Sequence, residues 1–380
     1  MSQHSDDGAD ELRKVTRDFL AKKSPETTVR ELMDTKGGVD REVWTQAAAQ
    51  LGIAGLLVPE DLGGSGAGMV QLGVVFEEAG RALWCAPLLS TCALATCAVL
   101  CAADRAVHAE LLPAIAAGAV VAALAWNGVR PSLGSLQARR RGEQWVVDGT
   151  SGYVVDGGTA EQLLVCAGVN DRLDLFVVGS GTGTPVAGLE RNGLVTMDST
   201  RRLAQLNFHA TPALRIATDV GESLDRALDR AEALLAAEQL GGATRVLEMA
   251  VDYAQARIQF GRPIGSFQAI KHKLAEMLMA VELARASVEH ALVTAETEPT
   301  LLPVALSHAR AVASETYVRV AGDNVQVHGG IGFTWDHPAH LYLKRAKSSQ
   351  LMLGSPKWHR SRLADLLGIP GNTAAAGGRR

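Results

Sequence analysis

The residues with the clearest capacity to bind an anionic ligand lie at positions 257–268, in the sequence RIQFGRPIGSFQ. Glycine and proline interrupt this segment, while apolar residues recur every three to four positions on both sides of it. That spacing predicts two long amphipathic helices joined by a tight connection. Two forked guanidinium groups and two amides lie in the connection, at Arg257, Gln259, Arg262 and Gln268. Such donors are well matched to a pyrophosphate. A solvated turn between helices is the alternative interpretation.

A second segment with a similar capacity covers residues 326–334, QVHGGIGFT. Its adjacent glycines, Gly329 and Gly330, leave the backbone amides open, since a side chain there would keep a ligand away from them. A lone GGxG sequence is weak support for a binding site. Two such segments, in this order and separated by two helical patterns, strengthen each other.

Together the two segments resemble the acyl-CoA dehydrogenase family, whose members carry Arg-x-x-Phe-Gly in the first and Gln-x-x-Gly-Gly-x-Gly-Phe or Tyr in the second. The resemblance implies FAD as the cofactor and an acyl-CoA thioester as the substrate. It implies that the first segment crosses a subunit interface to the diphosphate and adenosine of a neighbouring subunit's FAD. The second segment would lie along the adenosine diphosphate. The residues carried over are Arg257, Gln259, Phe260, Gln268, Gln326, Gly329 and Gly330.

The resemblance also implies an α+β multi-domain fold, with an N-terminal helical domain, a middle β-barrel-like domain and a C-terminal four-helix bundle. The sequence patterns agree, since helical spacing dominates residues 1–118 and returns at 218–370, whereas short β-type segments dominate 119–217. Strands are expected near residues 120–126, 144–147, 163–167, 173–178 and 203–208. The Gly/Ala/Arg tail at 371–380 is expected to be disordered.

Members of the family remove the proton α to the thioester with a carboxylate, while the β hydrogen leaves as hydride to the flavin. Alignment through residues 344–347 places Leu353 at the usual glutamate position, and leucine cannot accept a proton. Ser355 keeps a hydroxyl where the family has a flavin-contacting threonine, so the resemblance makes it a cofactor contact. The catalytic base is therefore unknown at this point.

Some members carry the base on the first helix of the C-terminal domain, and that position aligns with Ala231. Glu232 is adjacent but is turned by about 100° around the helix. Glu238 lies on nearly the same face, displaced by roughly 10 Å along the axis. Both glutamates are candidates for the base. A solvated glutamate or an internal ion pair with arginine is the alternative for each.

The part of the site that would hold the flavin ring departs from the family pattern. The family's Trp-x-Thr, whose threonine sits at flavin N5, aligns with Tyr153-Val154-Val155, which lacks the hydroxyl. The Thr-Glu-Pro-x-x-Gly-Ser-Asp stretch has only a loose counterpart at residues 126–135. This asymmetry leads to the hypothesis that the chain completes the FAD site of a homologous partner subunit in an α2β2 tetramer.

Two other hypotheses stay open. The chain could be a self-sufficient homotetrameric acyl-CoA dehydrogenase with a relocated glutamate, or a flavin-free structural or regulatory member of the family. For an enzyme, the resemblance implies electron-transfer flavoprotein or a similar protein as the electron acceptor.

Composition excludes several other classes of function. The 380 residues carry a formal net charge of −4, which argues against a nucleic-acid partner. The most apolar run, residues 86–103, is interrupted by polar residues and predicts a buried helix, so no membrane insertion is expected. The acidic, polar N-terminus is unlike a secretion signal, and we expect a cytoplasmic location. The five cysteines match no zinc or redox spacing, which predicts reduced thiols and no metal site.

Overall fold

The computed structural model describes residues 3–179 and 184–369. The N-terminal part is helical, and its two clearest helix starts are capped by aspartates whose carboxylates accept backbone N–H bonds, Asp40 and Asp104. Its elements are α1 Gln3–Lys23, α2 Glu26–Asp34, α3 Arg41–Leu51, α4 Met69–Arg81, a π-helical segment Leu88–Ala95, α5 Thr96–Ala102 and α6 Arg105–Ala116. The π-helical segment and most of α5 are buried, as predicted for the apolar run at 86–103.

The middle part is a mixed sheet of seven strands in the described residues: β1 Ala122–Ala125, β2 Leu136–Arg141, β3 Gln144–Val155, β4 Gln162–Val169, β5 Arg172–Val178, β6 Leu189–Gly193 and β7 Leu203–Ala217. The strand order is β1-β4-β2-β3-β7-β5, and β5 also pairs with β4. That last pairing closes five strands into a barrel, with β1 and β6 outside it. The predicted β-barrel-like part is confirmed.

All five predicted strands are present, but β2 and β6 were not predicted. Their sequences, LQARRR and LERNG, carry too many charged and polar residues to stand out as strands. Both strands form through pairing with a neighbour, β2 with β3 and β6 with β7. Strand β3 is also longer than predicted, because bulges near residues 148 and 152–153 let it follow β7 around the barrel.

The C-terminal part is a bundle built on α7 Gly221–Ala256, α8 Gln268–Thr297 and α9 Leu302–His328, with α10 Ala339–Leu351 and α11 Pro356–Leu366. Helix α9 packs against the other four. Helix α4 crosses α7 at Gly80 and Gly241, where an added Cβ would overlap a backbone carbonyl oxygen of the facing helix. The N-terminal helices are thereby fixed directly on the bundle.

This arrangement of helical, β and helical parts confirms the predicted fold class. Helix gives way to strand between Ala116 and Ala122, and strand to helix between Ala217 and Gly221. The domain boundaries proposed from sequence, 118/119 and 217/218, stay predictions, and the tail at 371–380 lies outside the described residues. Within the described ranges, no helix has the length and hydropathy needed to cross a bilayer, and no group of His, Cys, Asp and Glu is arranged to hold a metal. All five cysteines are free.

Candidate functional site

The predicted connection at residues 257–268 is a β-hairpin. Strands β8 Ile258–Gln259 and β9 Arg262–Pro263 pair with each other, and the turn between them consists of Phe260 and Gly261. Both turn residues have positive φ, 53° and 73°, as in the type I′ turns that match the twist of paired strands. The Phe260 side chain is 91% exposed at the tip. The hairpin therefore extends away from the bundle and holds an aromatic ring in solvent.

Polar side chains at both ends of the hairpin lack partners within the described residues. Arg257 follows the last residue of α7 and Gln268 begins α8, and both are exposed without a side-chain hydrogen bond or ion pair. Gln259 donates only to the neighbouring carbonyl of Ile258, at 2.8 Å. Arg262 instead lies over the ring of Phe267, 4.1 Å from its centroid. Arg257 and Gln268 are therefore the donors most available to a ligand outside this chain.

The glycine-rich segment forms the end of α9 and the 3₁₀ turn Gly329–Phe333. Gly329 has φ 63° and ψ −140°, a conformation that favours glycine. Gly330 is exposed, and no atom of the chain lies within 4 Å of the position of an added Cβ. Nothing in the described residues thus requires glycine at 330. Close approach by another molecule would require it, which fits the predicted contact with a cofactor.

A stack of aromatic rings brings the two predicted segments to the same end of the bundle. Tyr253, one turn before Arg257 on α7, stacks on His328 with centroids 4.3 Å apart. His328 directly precedes Gly329, and on its other side it contacts His337 at 4.2 Å. Burial lowers the pKa values of both histidines, so the neutral rings are favoured. The hairpin and the glycine turn are thus neighbours, and together with Gln326 we call them the donor face.

The usual position of the catalytic glutamate is filled by a buried leucine. Leu353 has φ 59°, and Gly354 beside it packs against the rings of Trp358 and His359. Ser355 caps α11, its Oγ accepting the N–H of Trp358 at 3.3 Å. The loop therefore keeps a turn at this place and its hydroxyl, although its residues cannot take up a proton from a substrate.

Glu238 lies inside an ion network that joins the β part to the bundle. Its carboxylate accepts from Arg201 at 2.5 and 2.6 Å and from Arg345 at 2.9 Å. Arg345 also donates to Asp198 at 3.0 Å and to Thr200. Burial alone would raise the pKa of Glu238, but the two arginines outweigh burial and hold it below its usual value. A carboxylate stabilised in its charged form in this way is a weak base.

The network fills a cavity beside Val155, the residue that the resemblance places near the flavin ring. Val155, aligned with the family's threonine at flavin N5, lines this cavity with Asp156, Arg201, Glu238 and Arg345. The free space among the lining residues is about 20 Å³, enough for about one water molecule. The side chains of this chain leave no room there for a ring system or an acyl chain. We call this space the closed cavity.

Asp156 is a further acidic residue of the closed cavity that the sequence did not reveal. It is buried and accepts a hydrogen bond from Ser90 at 2.6 Å. Burial raises its pKa to about 6, against the opposing effect of that hydrogen bond. Asp156 has φ 54° and precedes two glycines, and in the sequence this Asp-Gly-Gly reads only as a turn.

Glu232 is the second candidate base, and its surroundings differ from those of Glu238. Its carboxylate is 0% exposed, with Arg130 at 2.9 Å and His359 at 3.2 Å, yet neither contact is oriented as a hydrogen bond. Arg310 lies at 3.8 Å. Burial raises the pKa of Glu232 to about 7 despite the arginines, and burial lowers that of His359 to about 2. Glu232 has the pKa expected of a base, but solvent has no access to it in this conformation.

The segment at 126–135, the loose counterpart of a flavin-contacting stretch, is fastened to the bundle. Arg130 donates to Asp229 at 2.6 Å, and Arg362 donates to both oxygens of the same carboxylate at 2.7 Å. Both guanidinium groups lie over Trp358, at 5.4 and 5.6 Å from its ring centroid. These contacts hold the segment against α7 and α11.

The donor face and the closed cavity are far apart on α7. Glu238 lies within this helix and Arg257 directly follows its last residue. The 19 positions between them correspond to roughly 28 Å along the helix axis. The structure therefore groups the predicted cofactor contacts into one exposed surface, Ser355 excepted, and places both candidate bases elsewhere. Each set alone is half of the site that the resemblance implies.

Comparison with known proteins gives matches to both helical parts and over nearly the whole length. Residues 6–119 match the acyl-CoA dehydrogenase N-terminal domain, and residues 222–368 match the C-terminal domain. The acyl-CoA dehydrogenase IpdE2 of Mycobacterium tuberculosis is 38% identical over 346 residues, which cover 91% of this chain and 93% of that protein.

Two solved structures are also similar. A variant of the Tcur3481-Tcur3483 steroid ACAD has a TM-score of 0.86 and 29% identity, covering 96% of this chain and 98% of its own. The ChsE4-ChsE5 complex from Mycobacterium tuberculosis has a TM-score of 0.87 and 26% identity, covering 98% and 99%. With the fold, the domain matches and the relatives in agreement, this chain belongs to the acyl-CoA dehydrogenase family.

Proposed function

We propose that the chain is a subunit of a hetero-oligomeric, FAD-dependent acyl-CoA dehydrogenase and completes the FAD site of a homologous partner. The observation that carries the proposal is the contrast between the donor face, whose donors are exposed and unpaired, and the closed cavity, which ion pairs fill. An enzyme that catalyses the reaction with its own residues needs an open cavity and an accessible base. A subunit that only completes the FAD site of a partner needs neither.

The charges of the donor face suit the phosphate part of FAD. Arg257 offers a guanidinium fork, Gln268 and Gln326 offer amides, and the exposed Gly329 and Gly330 leave room for a ligand to approach the backbone. When bound, FAD supplies the acceptor for the hydrogen that leaves the β carbon of the acyl chain. The residues of this chain bind and orient the far end of the cofactor. The partner's own residues would have to supply the base.

A bulky acyl-CoA is the substrate class that we propose, because two similar structures are a steroid ACAD and the two-component ChsE4-ChsE5 complex. The proposed assembly is an α2β2 tetramer, with electron-transfer flavoprotein or a similar protein as the electron acceptor. The proposed location is the cytoplasm, where five free thiols are stable.

The absorption spectrum of bound flavin tests the proposal. The chain is purified alone and also co-expressed with a homologous acyl-CoA dehydrogenase subunit that carries an intact base, then incubated with FAD and desalted. We expect the lone chain to be colourless and the complex to retain flavin that an acyl-CoA substrate bleaches. A lone chain that keeps flavin and is bleached by substrate contradicts the proposal. Flavin absent from every pairing would favour the flavin-free hypothesis.

Replacing Arg257 by glutamine tests the donor face within the complex. We expect the flavin-to-protein ratio after desalting to fall at least tenfold, because a charge-assisted contact with phosphate is lost. Arg226→Gln is the matched control, since Arg226 is an exposed arginine at the other end of α7. Equal flavin retention in both variants would show that Arg257 does not contact the cofactor.

A second candidate function rests on Glu232. Its pKa of about 7 is that of a general base at neutral pH, so a self-sufficient enzyme could use it if Arg130 and residues 126–135 moved aside. In this alternative the lone chain with FAD oxidises an acyl-CoA, and Glu232→Gln abolishes turnover without loss of flavin. Turnover that survives Glu232→Gln rejects the alternative.

A further inference from the structure

A second cavity lies where the N-terminal helices meet the bundle. It has a volume of about 360 Å³ and is bounded by α1, α2, the end of α4, α7 and α10. This volume is at the small end of the range for pockets that bind small molecules. It has no lining residue in common with the closed cavity. The proposed function does not use it.

The walls of this cavity are mainly apolar. The buried side chains that form them include Leu20, Val29, Leu83, Met249 and Leu341. They come from four helices, α1, α2, α7 and α10, and from the turn that follows α4, so the tertiary fold and not one loop forms the space. An apolar ligand body would gain free energy by leaving water for these walls.

Two polar groups of the cavity are incompletely satisfied. Ser24 is only 5% exposed, and its Oγ has no hydrogen-bond partner in the described residues. A buried hydroxyl without a partner is unfavourable, and a water or a polar group of a ligand would relieve this cost. Arg245 has one long contact to Glu248, 3.3 Å, and interacts with the hydroxyl of Tyr342. Its guanidinium has donors to spare.

The other arginines of the cavity are already paired. Arg17 makes two short hydrogen bonds to Glu78, at 2.7 and 2.8 Å, and Arg81 binds both oxygens of Glu248. Arg245 is therefore the cation best placed to receive an anion, and Ser24 the neutral donor. The rest of the lining is apolar apart from the carboxylates of Glu26 and Glu78, which are paired with Arg30 and Arg17, and the hydroxyl of Tyr342, which donates to a backbone carbonyl.

We infer that this cavity binds a small amphiphilic carboxylate, whose charged group pairs with Arg245 and whose apolar body packs against the leucines. The Ser24 hydroxyl supplies a further hydrogen bond. Such a ligand would join the N-terminal helices to the bundle and stabilise the chain in proportion to its concentration. The inference concerns a site apart from the FAD contacts, so it stands or fails independently of the proposed function.

Calorimetric titration of the purified full chain with octanoate tests the inference, with octanol as the uncharged control. We expect one octanoate to bind per chain and octanol to bind at least tenfold more weakly. Arg245→Gln should weaken octanoate at least tenfold while leaving octanol unchanged, and Arg226→Gln on the same helix should change neither. Ser24→Leu, which fills the space, should abolish binding of both.

The opposite results are equally clear. No octanoate binding, or equal affinity for octanoate and octanol, overturns the inference. Octanoate that binds as well to Arg245→Gln as to the unaltered chain lies elsewhere and also overturns it. If Ser24→Leu fails to fold, Arg245→Gln still decides, because this partly exposed side chain can be changed without disturbing the apolar walls.

Discussion

Glu232 and Glu238 lie on the same helix, and the structure gives them opposite acid–base character. Both are buried, so both lose the solvation of their charge. For Glu238, hydrogen bonds from two arginines replace the lost solvation. Glu232 also has charged neighbours, but none of them is oriented to donate a hydrogen bond to its carboxylate. Orientation of the partners, more than their number, therefore decides which carboxylate stays charged.

The raised pKa of Glu232 predicts a dependence of stability on pH. A carboxyl group whose pKa rises from 4.5 to about 7 on folding contributes stability that is complete below about pH 4.5. That contribution is lost as the pH rises through about 7. Glu232→Gln should therefore gain stability relative to the unaltered chain between pH 5 and pH 8, by on the order of 3 kcal/mol.

Urea unfolding of both proteins at several pH values in that range measures the difference. The comparison cancels most of the slope due to other groups, including His359, whose lowered pKa acts in the opposite direction. A stability difference that does not change with pH would show that Glu232 titrates normally.

Glu238 gives a prediction of a different kind. Glu238→Gln leaves Arg201 buried without a counter-charge and leaves Arg345 with Asp198 alone, and breaking such a buried pair costs about 3–5 kcal/mol. The matched control is Glu276→Gln, because Glu276 and Arg319 form an exposed pair worth less than about 1 kcal/mol. Chemical denaturation measures both. If Glu238→Gln is as stable as the control, the network is not structural and Glu238 returns as a candidate base.

At the scale of elements, the long strands and helices followed from spacing in the sequence, and the elements formed by pairing did not. The helices of the bundle were predictable because each has an apolar face that repeats every three to four residues. Strands β2 and β6 have no such pattern of their own. The closed cavity was unpredictable for a similar reason, since Glu238 meets partners 37 and 107 positions away.

The donor face, in contrast to the closed cavity, could be located from the sequence. The hairpin and the glycine turn were identified from a resemblance in contiguous residues, and local turn geometry then fixed their shape. Their role as cofactor contacts is still a prediction. The same resemblance could show that the usual glutamate is missing, but it could not show that an ion network occupies the cavity, because that network exists only in the folded chain.

The crossing of α4 and α7 gives a prediction at this scale. Gly241→Ala would force a Cβ into the carbonyl oxygen of Glu77, and backbone cannot move aside cheaply. We expect a loss of about 2–3 kcal/mol of stability. Gly322→Ala is the control, a glycine inside α9 with open space around it, and it should be neutral or stabilising by up to about 1 kcal/mol. Thermal unfolding of the two variants measures the difference, and equal shifts would mean that the helices are not in close contact.

At the scale of the whole molecule, exposed apolar side chains lie on the surface that we expect a partner subunit to cover. Leu278, Met279 and Leu283 on α8 are each at least half exposed, and the rings of Phe260 and Phe333 project from the donor face. Met279 and Leu283 are one helical turn apart on α8, and exposed apolar side chains grouped in this way are typical of an interface. The hairpin directly precedes α8, so a subunit covering this helix would lie beside the donor face. Binding of a partner and completion of its FAD site would then depend on the same surface.

Met279→Glu tests this arrangement. Met279 is 66% exposed, so a charge there costs the lone chain little, but it would be buried without a partner in an assembled interface. We expect unchanged thermal unfolding of the lone chain, at least tenfold weaker association with the partner subunit in sedimentation experiments, and a matching loss of flavin from the complex.

Val195→Glu, at a fully exposed apolar position in the β part, is the control and should associate normally. Normal assembly of Met279→Glu would exclude this face of α8 as the subunit interface. Assembly without flavin would instead separate the interface from the cofactor site.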